Sequence, residues 1–401
     1  MSDKKNKRLK PGWRQVNFGD VVRLSKARSQ DPLADCIERY VGLEHLEPGD
    51  LRIRSWGNVA DGVTFTSVFQ PGQVLFGKRR AYQRKVAVAD FSGVCSGDIY
   101  VLETKDSKVL LPELLPFICQ TDAFFEHAVG TSAGSLSPRT NWSQLSNYSL
   151  SLPDPAAQKE LVAVLNAAEM VRSGALELYR SANRLLHSAL LDLYSRGTQN
   201  ERLVESPLGP LPASWKACQL GEQYEVQLGK KLYNEFTKGD GQIPYMRNAN
   251  VQWNRLDLTD VATMTFTDRE WDVYKLRPGD ILACEGRHVG KAALWQGELP
   301  EAGYQMALHR LRAKNAQQEP RYMLHCLRYY SISGRFRRVT GETTIPHLPA
   351  EAFKKQYFPF PPKSAQVAIA DVIDSIYSAI SSAESRVTQA GELLKSVLAF
   401  E

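Results

Sequence analysis

An internal repeat constrains the fold of this 401-residue chain more than any other feature of its sequence. The segments that begin at Leu152 and Phe360 share a Pro-x-x-x-x-Gln start, in which Pro153 and Gln158 correspond to Pro361 and Gln366. Both segments continue with apolar residues and alanines at alternating steps of four and three, in the same phase. This spacing places one residue per turn on a narrow helical seam. We therefore predict two long helices, 153–197 and 361–401, that pack on each other.

The regions before the two helices also repeat, although more loosely. "GWRQVNFGD" resembles "SWKACQLGE", and the Pro-Gly pairs of "FQPGQVLFGKRRAYQRKVAVAD" and "LRPGDILACEGRHVGKAALWQG" coincide. Each region mixes strand patterns with turn residues over roughly 150 residues, a typical domain size. We predict two strand-rich domains, 1–152 and 213–360, joined by a Pro- and Gly-rich linker, 198–212, so the fold class is α+β.

Composition is that of a globular protein, with 43% hydrophobic and 23% charged residues. The net charge of +6 permits a polyanionic partner without requiring one. The start, "MSDKKNKRLK", is not that of a signal peptide, and no apolar run reaches the length of a membrane span. The six cysteines are scattered without a C-x-x-C pair, as expected in a reducing cytoplasm.

Motifs for catalysis are not evident. The sequence contains no G-x-x-x-x-G-K-[ST], no G-x-G-x-x-G and no Asn-Pro-Pro-Tyr or Asp-Pro-Pro-Tyr signature. Asp280 and Glu285 faintly resemble a nuclease metal site, so a metal-dependent nuclease stays open as an alternative. We expect a chain that is not an enzyme and has no catalytic residues, metal site or cofactor of its own.

Two basic stretches bear on the partner. The first, residues 78–85, lies between a Pro-Gly turn and a V-A-V-A strand pattern, and the second, residues 321–341, interleaves arginines with tyrosines and Phe336. Arginine with aromatic residues suits phosphate contact and base-edge readout. One basic stretch alone is more often a solvated face, but two in repeated domains favour nucleic acid. A coiled-coil adaptor without DNA specificity stays open as a further alternative.

The chain as a whole resembles the DNA-specificity subunit of type I restriction–modification systems. The resemblance rests on "PGQVLFGKRRAYQRKVAV", "SGDIYVL", "SPLGPLPASW" and the paired helix starts "SLPDPAAQKELVAVL" and "PFPPKSAQVAIADVI". It implies two target recognition domains that each read half of a bipartite sequence. It also implies an antiparallel coiled coil that spaces the domains and docks methyltransferase subunits. In the second half "CEGRHVGK" replaces "FGKRRAYQRK", as expected if the two domains read different bases.

The resemblance implies a non-catalytic protein in the cytoplasm of a bacterium or archaeon. Its expected partners are double-stranded DNA, two methyltransferase subunits and one or two restriction/translocase subunits, without a membrane. S-adenosylmethionine and ATP with Mg are expected only on the partner subunits. The candidate DNA-binding residues are Lys78, Arg79, Arg80, Tyr82, Arg84, Lys85, Ser135, Arg139, Arg287, His288, Lys291, Arg335, Arg337, Arg338, Thr343 and Thr344.

Overall fold

The structure is a computed structural model and describes residues 11–199, 201–233, 240–337 and 347–398. Two long helices, Pro155–Arg196 and Lys363–Leu398, confirm the predicted pair. The chain divides into a first unit (residues 1–177 and 383–401) and a second unit (residues 178–382), and the division falls within both helices. Among the described residues, no helix combines the length and apolar character needed to cross a bilayer.

The long helices are antiparallel within each unit. In the first unit Leu165 and Ala168, early in the first long helix, share a core with Leu394 and Leu398, late in the second. In the second unit the ends are exchanged, so that Leu186, Leu190 and Tyr194 pack with Ile369, Ile373 and Ile376. No described residue of the two predicted seams is exposed, because the three-four spacing keeps one face of each helix against the other. The α+β fold with an antiparallel coiled coil is therefore confirmed.

The repeated glutamines fasten each long helix to its own domain. Gln158 is fully buried; its side-chain amide donates to the carbonyls of Val109 and Pro153, and its Oε1 accepts from the amide of Leu111. Gln366 is 2% exposed and makes the corresponding bonds to Gln317, Pro361 and Glu319. A buried amide group that satisfies three backbone groups explains why the helix start repeats with its domain.

The first unit is built around a four-stranded antiparallel sheet of Val22–Leu24, Ile99–Thr104, Val74–Gly77 and Val86–Val88, in that order. A second sheet places Arg39–Val41 parallel to Gly93–Cys95 between Gly57–Asn58 and Ser67–Phe69. The remaining strands are Arg14–Asn17 paired with Ser149–Leu152, and Ser132–Ala133 paired with Arg139–Thr140. The α-helices are Phe18–Val21, Leu115–Ile118, Asp122–Gly130 and Trp142–Leu145.

The second unit repeats the main sheet with Tyr224–Leu228, Leu308–Ala313, Ile281–Cys284 and Ala292–Leu294. Its second sheet orders Ala262–Met264, Ile243–Met246 and Gly303–Tyr304, again with one parallel pair. Further pairs are Lys216–Gln219 with Tyr357–Phe360, Val251–Gln252 with Arg255–Leu256, and Leu203–Val204 with Leu211–Pro212, which lies in the expected linker. The α-helices are Leu220–Gln223, Asp268–Tyr274, Pro320–Ile332 and Ala350–Lys355.

The repeated Pro-Gly turns open the strand that carries each candidate loop. Gly72 and Gly279 have φ of 87° and 95°, a conformation that favours glycine. Each glycine amide donates to the strand that follows the loop, at Ala89 in the first unit and at Trp295 in the second. In both halves, the candidate loop therefore begins at the same end of the equivalent strand.

Candidate nucleic-acid interface

The basic loop, residues 78–85, begins where the strand Val74–Gly77 ends. The backbone amide of Lys78 donates to the Asp98 carbonyl, and the Lys78 carbonyl accepts from Thr140, both at 2.9 Å. An isolated bridge then pairs Arg79 with Arg139. These bonds bring Arg139 to Lys78 and Arg79, two candidates that lie about 60 residues earlier in the sequence.

Asp98 organises two of these cations. Its Oδ1 accepts from Arg139 Nε at 2.8 Å, and its Oδ2 lies 3.4 Å from an Arg79 guanidinium nitrogen. Arg79 also donates to the Ser137 hydroxyl at 3.2 Å. Burial acts to raise the pKa of Asp98, but the bond to Arg139 and the charges of both arginines hold that pKa below its usual value. Asp98 is therefore ionised and orients Arg139, whose side chain is 51% exposed.

Arg80 differs from its neighbours because its guanidinium has no internal partner. Its φ is 54°, in the left-handed region, and its backbone amide donates to Pro138 at 2.7 Å. Among the described residues, the side chain has no hydrogen-bond or ion-pair partner, and its Nε is buried. A left-handed arginine carries a conformational cost.

The other candidates of the basic loop divide into tied and exposed side chains. Arg84 pairs with Asp122 at 2.6 Å, donates to the Gln120 carbonyl at 3.1 Å and lies over the Phe125 ring. Lys85 Nζ donates to the Leu43 carbonyl at 2.6 Å. Both cations thus hold the loop to its own unit. Tyr82 is 56% exposed, and Ser135 is also exposed.

The equivalent loop, residues 285–291, has the same backbone connections in the second unit. The amide of Glu285 donates to the Ala307 carbonyl at 3.0 Å, and the Glu285 carbonyl accepts from Leu348 at 2.9 Å. Gly286 pairs with His347 as Arg79 pairs with Arg139. Glu285 therefore occupies the backbone position of Lys78, which reverses the charge there.

Arg287 occupies the position of Arg80. Its φ is 62°, its side chain is exposed, and it makes no hydrogen bond or ion pair within the part of the chain that the structure describes. His288 is also exposed, and Lys291 Nζ lies 3.5 Å from the Gln252 side-chain oxygen. The left-handed arginine is thus the cation that both loops share.

The second basic stretch is placed differently from the sequence expectation. Its aromatic residues are core residues, with Tyr322 and Tyr330 fully buried, Phe336 4% exposed and Tyr329 5% exposed. The helix Pro320–Ile332 turns its tyrosines toward the long helices and the sheet, so these rings pack in the core. Arg321 pairs with Glu319, Asp371 and Asp374. Arg335 lies near the rings of Tyr329 and Tyr330 and donates to the Leu208 carbonyl. Arg337 is exposed. Arg338, Thr343 and Thr344 lie outside the described residues.

The possible nuclease site is not assembled. Asp280 is 1% exposed and accepts two hydrogen bonds from the Arg312 guanidinium, at 2.7 and 2.6 Å. Glu285 lies beyond the other end of the strand Ile281–Cys284 and contacts His347 instead. Within the described ranges, no three His, Cys, Asp or Glu side chains are grouped to hold a metal ion. Asp280 therefore acts as the buried partner of an arginine.

Two residues at these loops were missed by the sequence reasoning. Burial lowers the pKa of Lys78, and the charges of Arg139 and Arg28 add to that effect, which places Arg28 close to the basic loop. His347 faces the equivalent loop through its bridge to Gly286. Arg28 belongs to a short basic segment, "SKARS", which was a usable signal. His347 lies at the offset from Arg139 that relates Pro361 to Pro153, so the internal repeat was a usable signal for it.

A family model described as a type I restriction modification DNA specificity domain matches residues 212–389. Residues 212–389 belong to the type I restriction–modification specificity family. Two curated relatives in this family are the specificity subunit of the type I restriction enzyme EcoDI from Escherichia coli and a type I specificity subunit from Methanocaldococcus jannaschii. The first is 29% identical over 160 residues, which are 37% of this chain and 33% of the relative. The second is 24% identical over 198 residues, 47% of this chain and 45% of the relative, so the chain matches less than half the length of each.

Solved structures from type I systems share the family fold along nearly the whole chain. The S subunit from M. genitalium is similar with a TM-score of 0.63 at 13% identity, over 98% of this chain and 97% of that one. A chain from a study of complex assembly and conformational transition in a type I system has a TM-score of 0.54 at 20% identity, with the same coverage. At these identities the likeness concerns the fold alone.

Proposed function

We propose that this chain is a non-catalytic, sequence-specific DNA-binding subunit that reads a bipartite target. One observation carries the proposal: Arg80 and Arg287 occupy equivalent loop positions, both in the left-handed region and both without an internal partner. Strained backbone at the same place in both halves is typical of a functional site. A guanidinium without a partner suits a phosphate oxygen or the acceptor edge of guanine.

The residues around Arg80 also favour DNA as the ligand. Arg139 and Arg79 lie beside Arg80 along the paired segments, and Arg28 adds charge near Lys78. Asp98 is the carboxylate that pairs with two of these five cations. Such an excess of positive charge attracts a polyanion and positions it before any base is read.

The experiment measures DNA binding by the chain assembled with its methyltransferase, for Arg80→Ala and Arg287→Ala. Each variant should weaken binding and lower the slope of log affinity against log salt by about one if the contact is to phosphate. Arg14→Ala and Arg269→Ala are matched controls, because these exposed arginines lie outside the two loops. Unchanged affinity and slope in both loop variants would refute the DNA interface.

We also propose that the long helices dock the methyltransferase subunits. The first long helix exposes Val164, Val171, Leu178 and Leu185, which follow one another at seven-residue intervals and are 45–59% exposed. Small exposed residues, Ala167, Gly174, Ser181 and Ser188, lie three positions after each of them. This exposed stripe has the spacing of a second coiled-coil seam, which fits a helix of a partner subunit.

The second long helix carries a weaker line at the same interval, with Val372, Ala379, Arg386 and Leu393 exposed. One face on each helix accommodates two methyltransferase subunits per chain. These subunits would supply S-adenosylmethionine chemistry, and restriction/translocase subunits would supply ATP and Mg. The chain itself then directs these activities to a DNA sequence.

For a bipartite target, the length of the long helices should determine the spacing between the two specific blocks. Each helix is continuous across the division between the units, so seven residues inserted in each would lengthen the pair by about 10 Å while keeping the seam in phase. The unread gap in the methylated sequence should grow by about three base pairs, with both specific blocks retained. Methylome sequencing of a host that carries the lengthened chain measures the gap, and an unsplit target would contradict the bipartite reading.

A further inference from the structure

The first and second units each carry a nitrogen-bearing side chain at the same place on the rim of their candidate loops. The rim is the segment that pairs with the loop through an isolated bridge. In the first unit this residue is Arg139, fixed by its bridge to Arg79 and by the bond from Thr140 to Lys78. In the second unit the corresponding bonds fix His347, whose side chain is 58% exposed. The backbone therefore makes Arg139 and His347 equivalent, and they lie at the same sequence offset that relates Pro153 to Pro361.

A shielded carboxylate lies behind each of these side chains. Asp98, 19% exposed, accepts from Arg139 Nε at 2.8 Å, and Glu285, 8% exposed, lies 3.2 Å from His347 Nε2. The two carboxylates come from different segments, since Asp98 precedes the strand Ile99–Thr104 and Glu285 follows the strand Ile281–Cys284. Ala307 stands at the backbone position of Asp98, while Glu285 stands at that of Lys78. Both units thus pair an exposed nitrogen-bearing side chain with a shielded carboxylate, although the carboxylate occupies a different backbone position in each unit.

The contact with Glu285 leaves the second ring nitrogen of His347 available. With Nε2 at the carboxylate, Nδ1 makes no hydrogen bond to a described residue. A carboxylate at one nitrogen fixes the orientation of an imidazole. His347 and Lys354 lie close enough to the buried His309 for their charges to act on it. Burial lowers the pKa of His309 to about 4, so His309 is neutral near pH 7.

We propose that His347, oriented by Glu285, is a DNA-contacting residue of the second unit and the counterpart of Arg139 in the first. Its Nδ1–H would donate to an acceptor on DNA, either a phosphate oxygen or the O6/N7 edge of guanine. The inference rests on the proposed DNA-binding function and adds a residue to it.

The two counterparts differ in one physical property. Arginine stays charged at every pH of interest, whereas histidine changes its charge between about pH 5 and 8. The contact made by the second unit should therefore weaken as pH rises through this range, while the contact made by the first unit should not. A purely structural role for His347 would not give this difference in DNA binding.

The test measures binding of a specific duplex by the chain assembled with its methyltransferase, at constant ionic strength and several pH values from 5.5 to 8. His347→Ala should weaken binding at least about fivefold at pH 6, and less at pH 8. His347→Arg should restore affinity and remove that part of the pH dependence. Glu285→Gln should also reduce the pH dependence, because the imidazolium loses its counter-charge.

Further arms identify the acceptor and guard against misfolding. A uniform loss across sequences with a smaller salt slope indicates phosphate, and relaxed preference at one base of one block indicates a guanine edge. Thermal unfolding of His347→Ala and His347→Arg shows whether both remain folded, and the comparison between these two variants carries the test. If His347→Ala binds like the unaltered chain while Arg287→Ala binds weakly, this inference fails and the proposed function stands. If the unaltered complex does not bind DNA, the proposed function itself fails.

Discussion

The basic loop of the first unit and the equivalent loop of the second share a backbone but not a charge pattern. Both leave the same strand end, both make the same two hydrogen bonds at their first residue, and both hold an arginine in the left-handed region. The first residue is Lys78 in one and Glu285 in the other, and the rim carries Arg139 in one and His347 in the other. Core packing and backbone bonds thus maintain the scaffold, while the rim side chains are free to differ, as reading two different half-sites would require.

The largest effect should come from the feature that the halves share most closely. Gln158→Ala and Gln366→Ala each leave buried backbone groups without partners at a helix start, so each should lower the free energy of unfolding by about 2–3 kcal/mol. Chemical denaturation measures the loss. Gln144→Ala, at an exposed position, should change stability by less than about 0.5 kcal/mol. A loss in only one half would show that the repeated motif has different roles.

A second effect should distinguish the two long helices. Leu178→Asp with Leu185→Asp places two charges on the exposed stripe, and we expect methyltransferase binding to weaken about tenfold or more, since a charge buried at an interface lacks a partner. Val372→Asp with Leu393→Asp should weaken it less, because that line already contains Arg386. Titration with purified methyltransferase measures both. Leu203→Asp, at a similarly exposed leucine outside the helices, is the control, and equal behaviour of all three variants would remove the stripe as a docking surface.

A third effect should be the same in both loops. Glycine adopts the left-handed region without strain, so Arg80→Gly and Arg287→Gly should each raise the free energy of unfolding, by up to about 1 kcal/mol, while weakening DNA binding. Thermal unfolding and a DNA titration on the same preparations measure the two changes. Opposite signs for stability and binding would show that the strain is kept for function. A glycine variant that binds DNA normally would show that the arginine is dispensable.

The smallest effect concerns stability. The contributions of Asp98 in the first unit and Glu285 in the second should depend on pH in opposite directions. The pKa of Asp98 is lowered in the folded chain, so its stabilising contribution is present above the ordinary Asp pKa of about 3.9 and is lost as pH falls through the folded value. Burial raises the pKa of Glu285, with His347 opposing the rise, so its contribution is favourable below about pH 4.3 and is lost as pH rises through the folded value. Asp98→Asn should therefore cost up to about 1 kcal/mol at pH 7 and less at pH 4, while Glu285→Gln should cost nothing at pH 7.

Denaturation curves at several pH values between 3.5 and 7 measure this difference. The Asp98→Asn deficit should shrink steadily toward acid. A larger loss of stability for Glu285→Gln than for Asp98→Asn at pH 7 would contradict the opposite pH dependence that is expected for the two carboxylates.

Much of the fold could be predicted from the sequence, and less of the interface could. The Pro-x-x-x-x-Gln starts and the three-four spacing specify local helix geometry, so the helices and their seams appear where the pattern places them. The Pro-Gly pairs likewise mark turns with positive φ. The burial of the tyrosines in the second basic stretch could not be predicted, because charge next to aromatic residues does not tell which face of the helix is buried.

The sequence by itself determined the repeat, the α+β class, the helix pair and the position of the basic loop, because these depend on residues close together in the chain. Only the tertiary structure decided which cations are available. Arg84 is held by Asp122, 38 residues away, and Lys85 by the carbonyl of Leu43, whereas Arg80 is left without a partner. Bridges to Gly286 and Arg79, which lie 61 and 60 residues earlier, bring His347 and Arg139 to their loops. Whether a charge is free or paired depends on contacts between distant segments, and local sequence does not encode that information.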